Sequence, residues 1–220
     1  MTSPATEPTL KVLIFGASLR ADSLNQKLAA LAARIVAQSG ALVTLASMSQ
    51  FDVPTYDGDV ERAPGIPQGA EALRQRIIES DAFIIASPEY NASMPGGLKN
   101  LIDWTSRFRP QPFDGKHGLL LSASPSMGGG NRGLWALRVP LEHLGARIYP
   151  DMFSLSQAQQ ALVDGDIADA KLRARFEKNL QAFLSLAEAA KHYPCIKRAW
   201  VEFLGEPPAS AADRVDTVAS

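Results

Sequence analysis

The chain has 220 residues, of which 46% are hydrophobic, so it is long enough for one domain with a substantial core. Its formal net charge of -1 implies neither a nucleic-acid partner nor a membrane surface, and no apolar run approaches the ~20 residues that a membrane span needs. The single cysteine, Cys195, excludes an intrachain disulfide and a cysteine-ligated iron–sulfur cluster. It fits a reducing compartment, so we expect a cytoplasmic protein.

Five strand-like runs alternate with helical runs along the chain. Such alternation predicts an α/β fold with a parallel sheet. Right-handed crossovers make a flavodoxin-like three-layer sandwich the simplest arrangement, with a five-stranded parallel sheet and helices on both faces. The predicted strands cover residues 11–15, 42–46, 82–86, 118–122 and 147–153, and the predicted helices cover residues 23–38, 68–79, 97–107, 132–144 and 167–191.

The two ends of the chain differ in composition from the middle. Residues 1–9 have neither a basic region nor an apolar core, which argues against a secretory signal and predicts a disordered lead. Residues 10–191 are predicted to form the domain, and residues 192–220 are predicted to form a peripheral tail. Within the domain, residues 51–67 are rich in Pro, Gly and Asp and predict a long surface loop.

The turn after the first predicted strand, residues 16–25, carries small and hydroxyl residues directly before a helix. Such a turn leaves backbone N–H groups open at a helix N-terminus, where a phosphate is favoured. Arg20 would add a charge-assisted contact. The alternative is that Ser18, Ser23 and Asn25 merely cap the helix. Gly-x-x-x-x-Gly-Lys-Ser/Thr does not occur here, so this turn is not a nucleoside triphosphate loop.

A second turn, residues 87–100, follows the third predicted strand and precedes a predicted helix. It combines an aromatic residue, Tyr90, and an amide, Asn91, with two prolines, Pro88 and Pro95. In an open α/β sheet, ligands bind beyond the carboxyl ends of the strands. We interpret the turn as a rigid edge for a flat polar ring.

A third turn, residues 122–133, follows the fourth predicted strand and is rich in glycine. Residues 128–133 fit the dinucleotide pattern Gly-x-Gly-x-x-Gly, but that pattern belongs directly after a first strand, and Pro125 lengthens this turn. We interpret it as a flexible glycine loop that lets the backbone approach a ligand closely. The alternative is a mobile loop without a ligand.

The sequence contains no obvious catalytic acid, base or nucleophile. His117, His143 and His192 lack metal-ligand spacing, so no metal site is predicted, and Gly-x-Ser-x-Gly, the hydrolase pattern, does not occur. Three ligand-shaped turns without a catalytic group indicate a protein that binds a cofactor and leaves the chemistry to it.

Together the three turns resemble the NADPH-dependent FMN reductase family, which is flavodoxin-like and includes quinone, chromate and azo-dye reductases. The resemblance covers about residues 10–190. Where close relatives usually have Gly-Ser-Leu-Arg, this chain has Gly-Ala-Ser-Leu-Arg, with Ala17 as one additional small residue. The matching residues are Gly16-Ala17-Ser18-Leu19-Arg20 with Ser23 and Asn25, then Pro88-Glu89-Tyr90-Asn91 with Ser93, Pro95-Gly96, Leu98-Lys99-Asn100 and Asp103-Trp104, and finally Ser124-Pro125 with Gly128-Gly129.

The resemblance implies a role for each turn in binding FMN. The first would hold the phosphate, the second would border the isoalloxazine ring largely through backbone groups, and the third would close the other side. The implied FMN-binding residues are Ser18, Arg20, Ser23, Leu24 and Asn25 in the first turn, Pro88, Glu89, Tyr90 and Asn91 in the second, and Ser124 and Gly128 in the third.

The resemblance also implies a reaction in which no protein side chain is catalytic. NADPH, or NADH, would pass hydride to flavin N5 and leave, and a small-molecule acceptor would then take its place in a ping-pong cycle. Quinones, azo compounds, chromate and free flavin are the implied acceptors. The alternatives are a flavodoxin-type electron carrier without NADPH activity, which the charge of -1 disfavours, and a regulatory domain that uses the phosphate turn alone.

A homodimer or homotetramer is expected from the helix at residues 97–107. Its apolar residues Leu98, Leu101, Ile102 and Trp104 cover more than one helical face. The surplus, Trp104 foremost, predicts an exposed apolar patch at a contact between subunits, and the resemblance places a contact here too. The alternative is that this helix lies buried under the 51–67 loop.

Overall fold

A parallel sheet with strand order β2-β1-β3-β4-β5 forms the centre of the molecule. The structure is a computed structural model, and it describes residues 9–191. The strands are β1 (Lys11–Gly16), β2 (Leu42–Ser47), β3 (Ala82–Ala86), β4 (His117–Ala123), β5 (Arg147–Ile148), β6 (Phe153–Leu155), β7 (Leu162–Val163) and β8 (Asp166–Ile167). The helices are α1 (Leu24–Gln38), α2 (Gly58–Arg62), α3 (Gln68–Ile78), α4 (Gly96–Thr105), α5 (Asn131–His143), α6 (Ala158–Ala161) and α7 (Ala170–Lys191), with a 3₁₀ turn at Met48–Phe51.

The helices lie on both faces of the sheet, as predicted. Alternate residues of β1 separate the two cores: Val12 and Ile14 pack with α1 and α7, whereas Leu13 and Phe15 pack with α3, α4 and α5. Strands β1, β3 and β4 are buried on both faces because helices cover them, which explains their continuous apolar sequences. The predicted flavodoxin-like sandwich is therefore confirmed.

The fifth strand position differs from the prediction. The run predicted at 147–153 is divided into β5 and β6, which both pair in parallel with β4. Pro150 lies in the break, and a proline has no N–H to donate to a ladder. The sheet thus keeps five positions, and the last is shared by two short strands.

The prediction for the segment before the last helix was also wrong in part. Helix α7 begins at Ala170, and Ile167, which was predicted to start it, belongs to β8. Strands β7 and β8 form a two-residue hairpin whose turn residues, Asp164 and Gly165, have φ of 49° and 76°. Apart from Ile167, α6 and this hairpin occupy residues that the sequence pattern left unassigned, because elements of two to four residues show no periodicity.

Trp104 corrects the prediction of an exposed apolar patch on α4. Its side chain is fully buried, and its indole N–H donates to the carbonyl of Pro54 at 2.8 Å. The ring of Tyr56 packs edge-on against it, with centroids 4.9 Å apart. Asn100 fixes the same loop, since it accepts the N–H of Tyr56 and donates to Pro54. The 51–67 loop therefore covers α4, as the alternative interpretation held.

Two further observations concern the described part of the chain. None of its helices is both long enough and apolar enough to cross a bilayer. Between residues 9 and 191, no three His, Cys, Asp or Glu side chains gather as a metal site would require. The predicted lead and tail fall almost wholly outside the described residues, since only Thr9 of those segments is described.

Candidate cofactor site

The three turns that the sequence singled out meet at one edge of the sheet. Strands β1, β3 and β4 are parallel neighbours, so their carboxyl ends and the turns that follow lie side by side. A cavity of about 490 Å³ opens there. It is lined by Ser18, Arg20, Asp22, Ser23, Leu24, Asn25, Lys27, Pro88, Glu89, Tyr90, Ala123, Ser124, Pro125, Gln159 and Leu162. Of the predicted residues, Asn91 and Gly128 are not part of this lining.

The N-terminus of α1 forms one end of the cavity. Ser23 caps the helix, and its Oγ accepts the N–H groups of Asn25 at 3.2 Å and Gln26 at 3.4 Å. Within residues 9–191, no protein atom accepts the N–H of Leu24, the first residue of the helix. An open N–H and the positive end of the helix dipole favour an anion here. Capping and phosphate binding are therefore compatible at this turn.

Charged side chains add to the positive end of the cavity. Lys27 pairs with Asp22 at 2.5 Å, and the hydrogen bond from Lys27 holds the pKa of the Asp22 carboxyl below its usual value. Arg20 lies exposed beside them. Two cations and one anion leave this end of the cavity with a net positive charge, which suits a phosphate.

Asn25 has a framework contact that the sequence analysis did not anticipate. Its buried amide donates to the carbonyl of Ala123 and accepts the N–H of the same residue, each at 2.9 Å. This pair of bonds ties the start of α1 to the end of β4. The first turn, which leads into α1, and the third turn, which follows β4, are thereby held at a fixed separation.

The second turn reverses sharply between Tyr90 and Ser93. The N–H of each residue donates to the carbonyl of the other, at 2.9 and 3.0 Å, and the central residues Asn91 and Ala92 have φ of 51° and 63°. Two successive left-handed residues are typical of a type I′ turn. The turn leaves Tyr90 half-exposed at the cavity rim and puts Asn91 at the tip, away from the lining.

The glycine-rich third turn packs closely against neighbouring segments of the protein. The sequence had predicted a close approach to a ligand. Gly130 has φ of 85°, and a Cβ placed on it would lie 2.0 Å from the hydroxyl oxygen of Ser122. A Cβ on Gly133 would lie 3.0 Å from Cα of Glu89. These glycines let the N-terminus of α5 pack against the neighbouring turns. Gly128 itself stands clear of the cavity, whereas Ser124 lines it.

The cavity therefore combines a cationic, N–H-rich end with a rigid wall that carries an aromatic ring. That arrangement fits a flat ligand with a phosphate group. A model of the family described as NADPH-dependent FMN reductase matches residues 10–160. The chain belongs to this family. It is accordingly an oxidoreductase that works with FMN and NAD(P)H, as the sequence resemblance implied.

Individual relatives agree with this assignment. The reductase is 40% identical to a quinone reductase of Escherichia coli over 139 aligned residues. The aligned region covers 63% of this chain and 73% of the relative. It is 39% identical over 176 residues to an NAD(P)H-dependent FMN reductase of Pseudomonas aeruginosa, covering 79% and 92% of the two chains. The solved flavoenzyme NAD(P)H:(acceptor) oxidoreductase FerB from Paracoccus denitrificans superposes with a TM-score of 0.70 at 28% identity, over 83% of the reductase and 99% of FerB.

The sequence analysis missed several lining residues of the reductase. Asp22 lies inside the recognised turn, and Lys27 is one helical turn beyond Ser23, so both could have been found from local spacing. Gln159 and Leu162 come from α6 and β7, which carry no sequence signal and reach the cavity only through the tertiary fold. The remaining missed residues, Ala123 and Pro125, flank the predicted Ser124.

Proposed function

We propose that the reductase binds FMN in the cavity at the carboxyl edge of the sheet and transfers electrons from NAD(P)H to small acceptors of the quinone type. The observation that supports this most is the pairing of the positive α1 end with the Tyr90 wall across one cavity. Ser18, Arg20, Ser23 and the N–H of Leu24 would hold the phosphate. When bound, FMN would supply the hydride-accepting and hydride-donating chemistry.

The second and third turns would hold the flat ring in this proposal. Pro88, Glu89 and Tyr90 line the cavity from the second turn, and Ser124 lines it from the third. Asn91 and Gly128, which were expected to touch FMN, are not part of the cavity lining but belong to the turns that carry Tyr90 and Ser124. Asn25 would serve mainly to hold the first and third turns together through Ala123.

Exposed apolar side chains on the three turns support quinones as acceptors in this proposal. Leu19 and Met127 are largely exposed in the first and third turns, and Tyr90 is half-exposed in the second. Such side chains favour a flat, weakly polar acceptor. The relative named quinone reductase supports the same acceptor class. Azo compounds, chromate and free flavin remain further acceptors to test in the same assay.

We expect ping-pong kinetics, because in this proposal NAD(P)H and the acceptor use the same cavity in turn. Initial rates measured while NADPH and a quinone are both varied should give parallel lines in a double-reciprocal plot. Intersecting lines would mean that both substrates bind together, which requires a second site. The same rates measured with NADH would establish the preference between the two nucleotides.

We further propose that the reductase is a cytoplasmic homodimer or homotetramer. The cytoplasmic assignment rests on its single cysteine. An apolar strip on α5 supports the oligomer: Trp135 is 55% exposed and Val139 is 67% exposed, and residues four apart share a helical face. Trp104 is buried and so does not provide this contact.

Light scattering at micromolar concentration is expected to show a dimer or larger species, and Val139→Glu is expected to shift it towards monomer because a charge would be buried at the contact. Leu186→Glu is the matched control, since Leu186 is a half-exposed apolar residue on α7, outside the strip. A wild-type monomer would reject the oligomer. Dissociation by both variants alike would move the contact elsewhere.

A further inference from the structure

Glu89 lines the cavity, and its carboxylate contacts the N-terminus of α5. One carboxylate oxygen accepts from Arg132 Nε at 2.8 Å, and the other accepts the backbone N–H of Gly133 at 3.1 Å. The Glu89 side chain is only 11% exposed, whereas that of Arg132 is 74% exposed. The carboxylate thus lies inside the structure and its cationic partner lies in solvent.

The backbone around this contact is shaped to bring the two segments together. A Cβ on Gly133 would lie 3.0 Å from both Cα and Cβ of Glu89 and 3.1 Å from the carbonyl oxygen of Ser93. Any side chain at Gly133 would push α5 away from the turn. The close approach therefore depends on glycine at the start of α5.

The charge on Glu89 is stable in this setting. Burial opposes its ionisation, but the hydrogen bonds from Arg132 and from the N–H of Gly133 outweigh burial and hold the pKa of the carboxyl below its usual value. A carboxylate at a helix N-terminus is further favoured by the helix dipole. Glu89 is accordingly ionised at neutral pH and keeps both contacts.

Glu89 stands between two residues that line the cavity. Pro88 and Tyr90 are its immediate neighbours and form part of the same wall. The helix that it contacts follows the turn that carries Ser124 and Pro125, which also line the cavity. The geometry points to Glu89 as a positioning residue, whose side chain ties the second turn to the start of α5 and so sets the wall against which the FMN ring would lie. This inference rests on the proposed placement of FMN in the cavity.

The role of the side chain can be separated from a merely structural one by measuring FMN retention. When the Glu89→Ala holoenzyme is diluted, the dissociation constant for FMN, read from the fluorescence of released flavin, is expected to rise about tenfold. The visible circular dichroism of the bound flavin is expected to change too, because the ring would sit against a displaced wall. Loss of stability alone would lower the melting temperature and leave both readouts unchanged.

Two further variants test whether the contact between Glu89 and the Gly133 N–H affects FMN binding. Glu89→Gln keeps an acceptor for the Gly133 N–H, so its dissociation constant is expected to stay within about threefold of the wild type. Glu71→Ala is the matched control, because Glu71 also pairs with an arginine, Arg74, but lies on α3 and not on the cavity. It should retain FMN as the wild type does.

The outcomes distinguish this inference from the placement of FMN itself. If Arg20→Ala releases FMN more readily and Glu89→Ala does not, the positioning role is overturned and the site stands. If neither variant changes FMN release, the cavity does not hold FMN and both proposals fall. Should Glu89→Ala fail to fold, Glu89→Asp, whose carboxylate is one methylene further from Gly133, decides the question, with release expected to rise about threefold and unchanged release rejecting the role.

Discussion

Replacing Trp104 by alanine is expected to lower the free energy of unfolding by about 3–5 kcal/mol, the range found when a large aromatic side chain is removed from a core. The indole is fully buried between α4 and the 51–67 loop, and the substitution also leaves the carbonyl of Pro54 without its N–H donor from the ring. Urea denaturation followed by circular dichroism would measure the loss. A change below about 1 kcal/mol would show that the loop does not depend on this residue.

A milder substitution separates the two contributions of Trp104. Trp104→Phe keeps an aromatic ring against Tyr56 but removes the indole N–H, so it is expected to cost less than the alanine variant. Leu186→Ala is a suitable control, because Leu186 is 42% exposed on α7 and should change stability by no more than about 0.5 kcal/mol. Equal losses for Trp104→Phe and Trp104→Ala would assign the whole effect to the hydrogen bond.

Arg20→Ala is expected to weaken FMN binding about tenfold to a hundredfold, because a charge-assisted hydrogen bond to phosphate contributes roughly 1.5–3 kcal/mol. Arg20 lines the cavity at the α1 end and is exposed, so its loss should leave the fold intact. Fluorescence titration of the FMN-stripped protein with FMN would give the dissociation constant, and thermal melting without FMN would confirm that folding is unchanged.

Two comparisons sharpen the Arg20 experiment. Arg20→Lys keeps the charge but not the planar, forked donor, and it should bind FMN with intermediate affinity. Arg62→Ala removes an exposed arginine on α2 that does not line the cavity, and it should bind FMN as the wild type does. An unchanged affinity for Arg20→Ala would place the phosphate away from this turn.

Most of the fold could be predicted because its central strands are buried on both faces. Strands such as β3 then read as unbroken apolar runs, and α1 shows a clear apolar face towards the sheet. The meeting of the three turns could be predicted as well. The turns after β1, β3 and β4 contain residues that a regular element would not need, and parallel neighbouring strands bring such turns together.

The parts that could not be predicted depend on contacts between distant segments. Nothing near Trp104 in the sequence shows that Pro54 and Tyr56 will cover it, so its apolar excess was mistaken for a free surface. The sequence also did not show that the room kept by Gly133 is filled by Glu89, from a different turn. The sequence pattern identifies a glycine at which close packing is possible, but it does not identify the group that packs there.

The bonds between Asn25 and Ala123 have a consequence for how the holoprotein is made. They join positions 98 residues apart, so the turn at residues 16–25 leaves the ribosome long before its partner strand exists. Residues 16–25 alone cannot present their final geometry, since the anchor that sets it is β4. The cofactor is therefore expected to join the chain late in synthesis, after β4 has been added to the sheet, and a nascent chain that stops short of Ala123 is expected not to retain flavin.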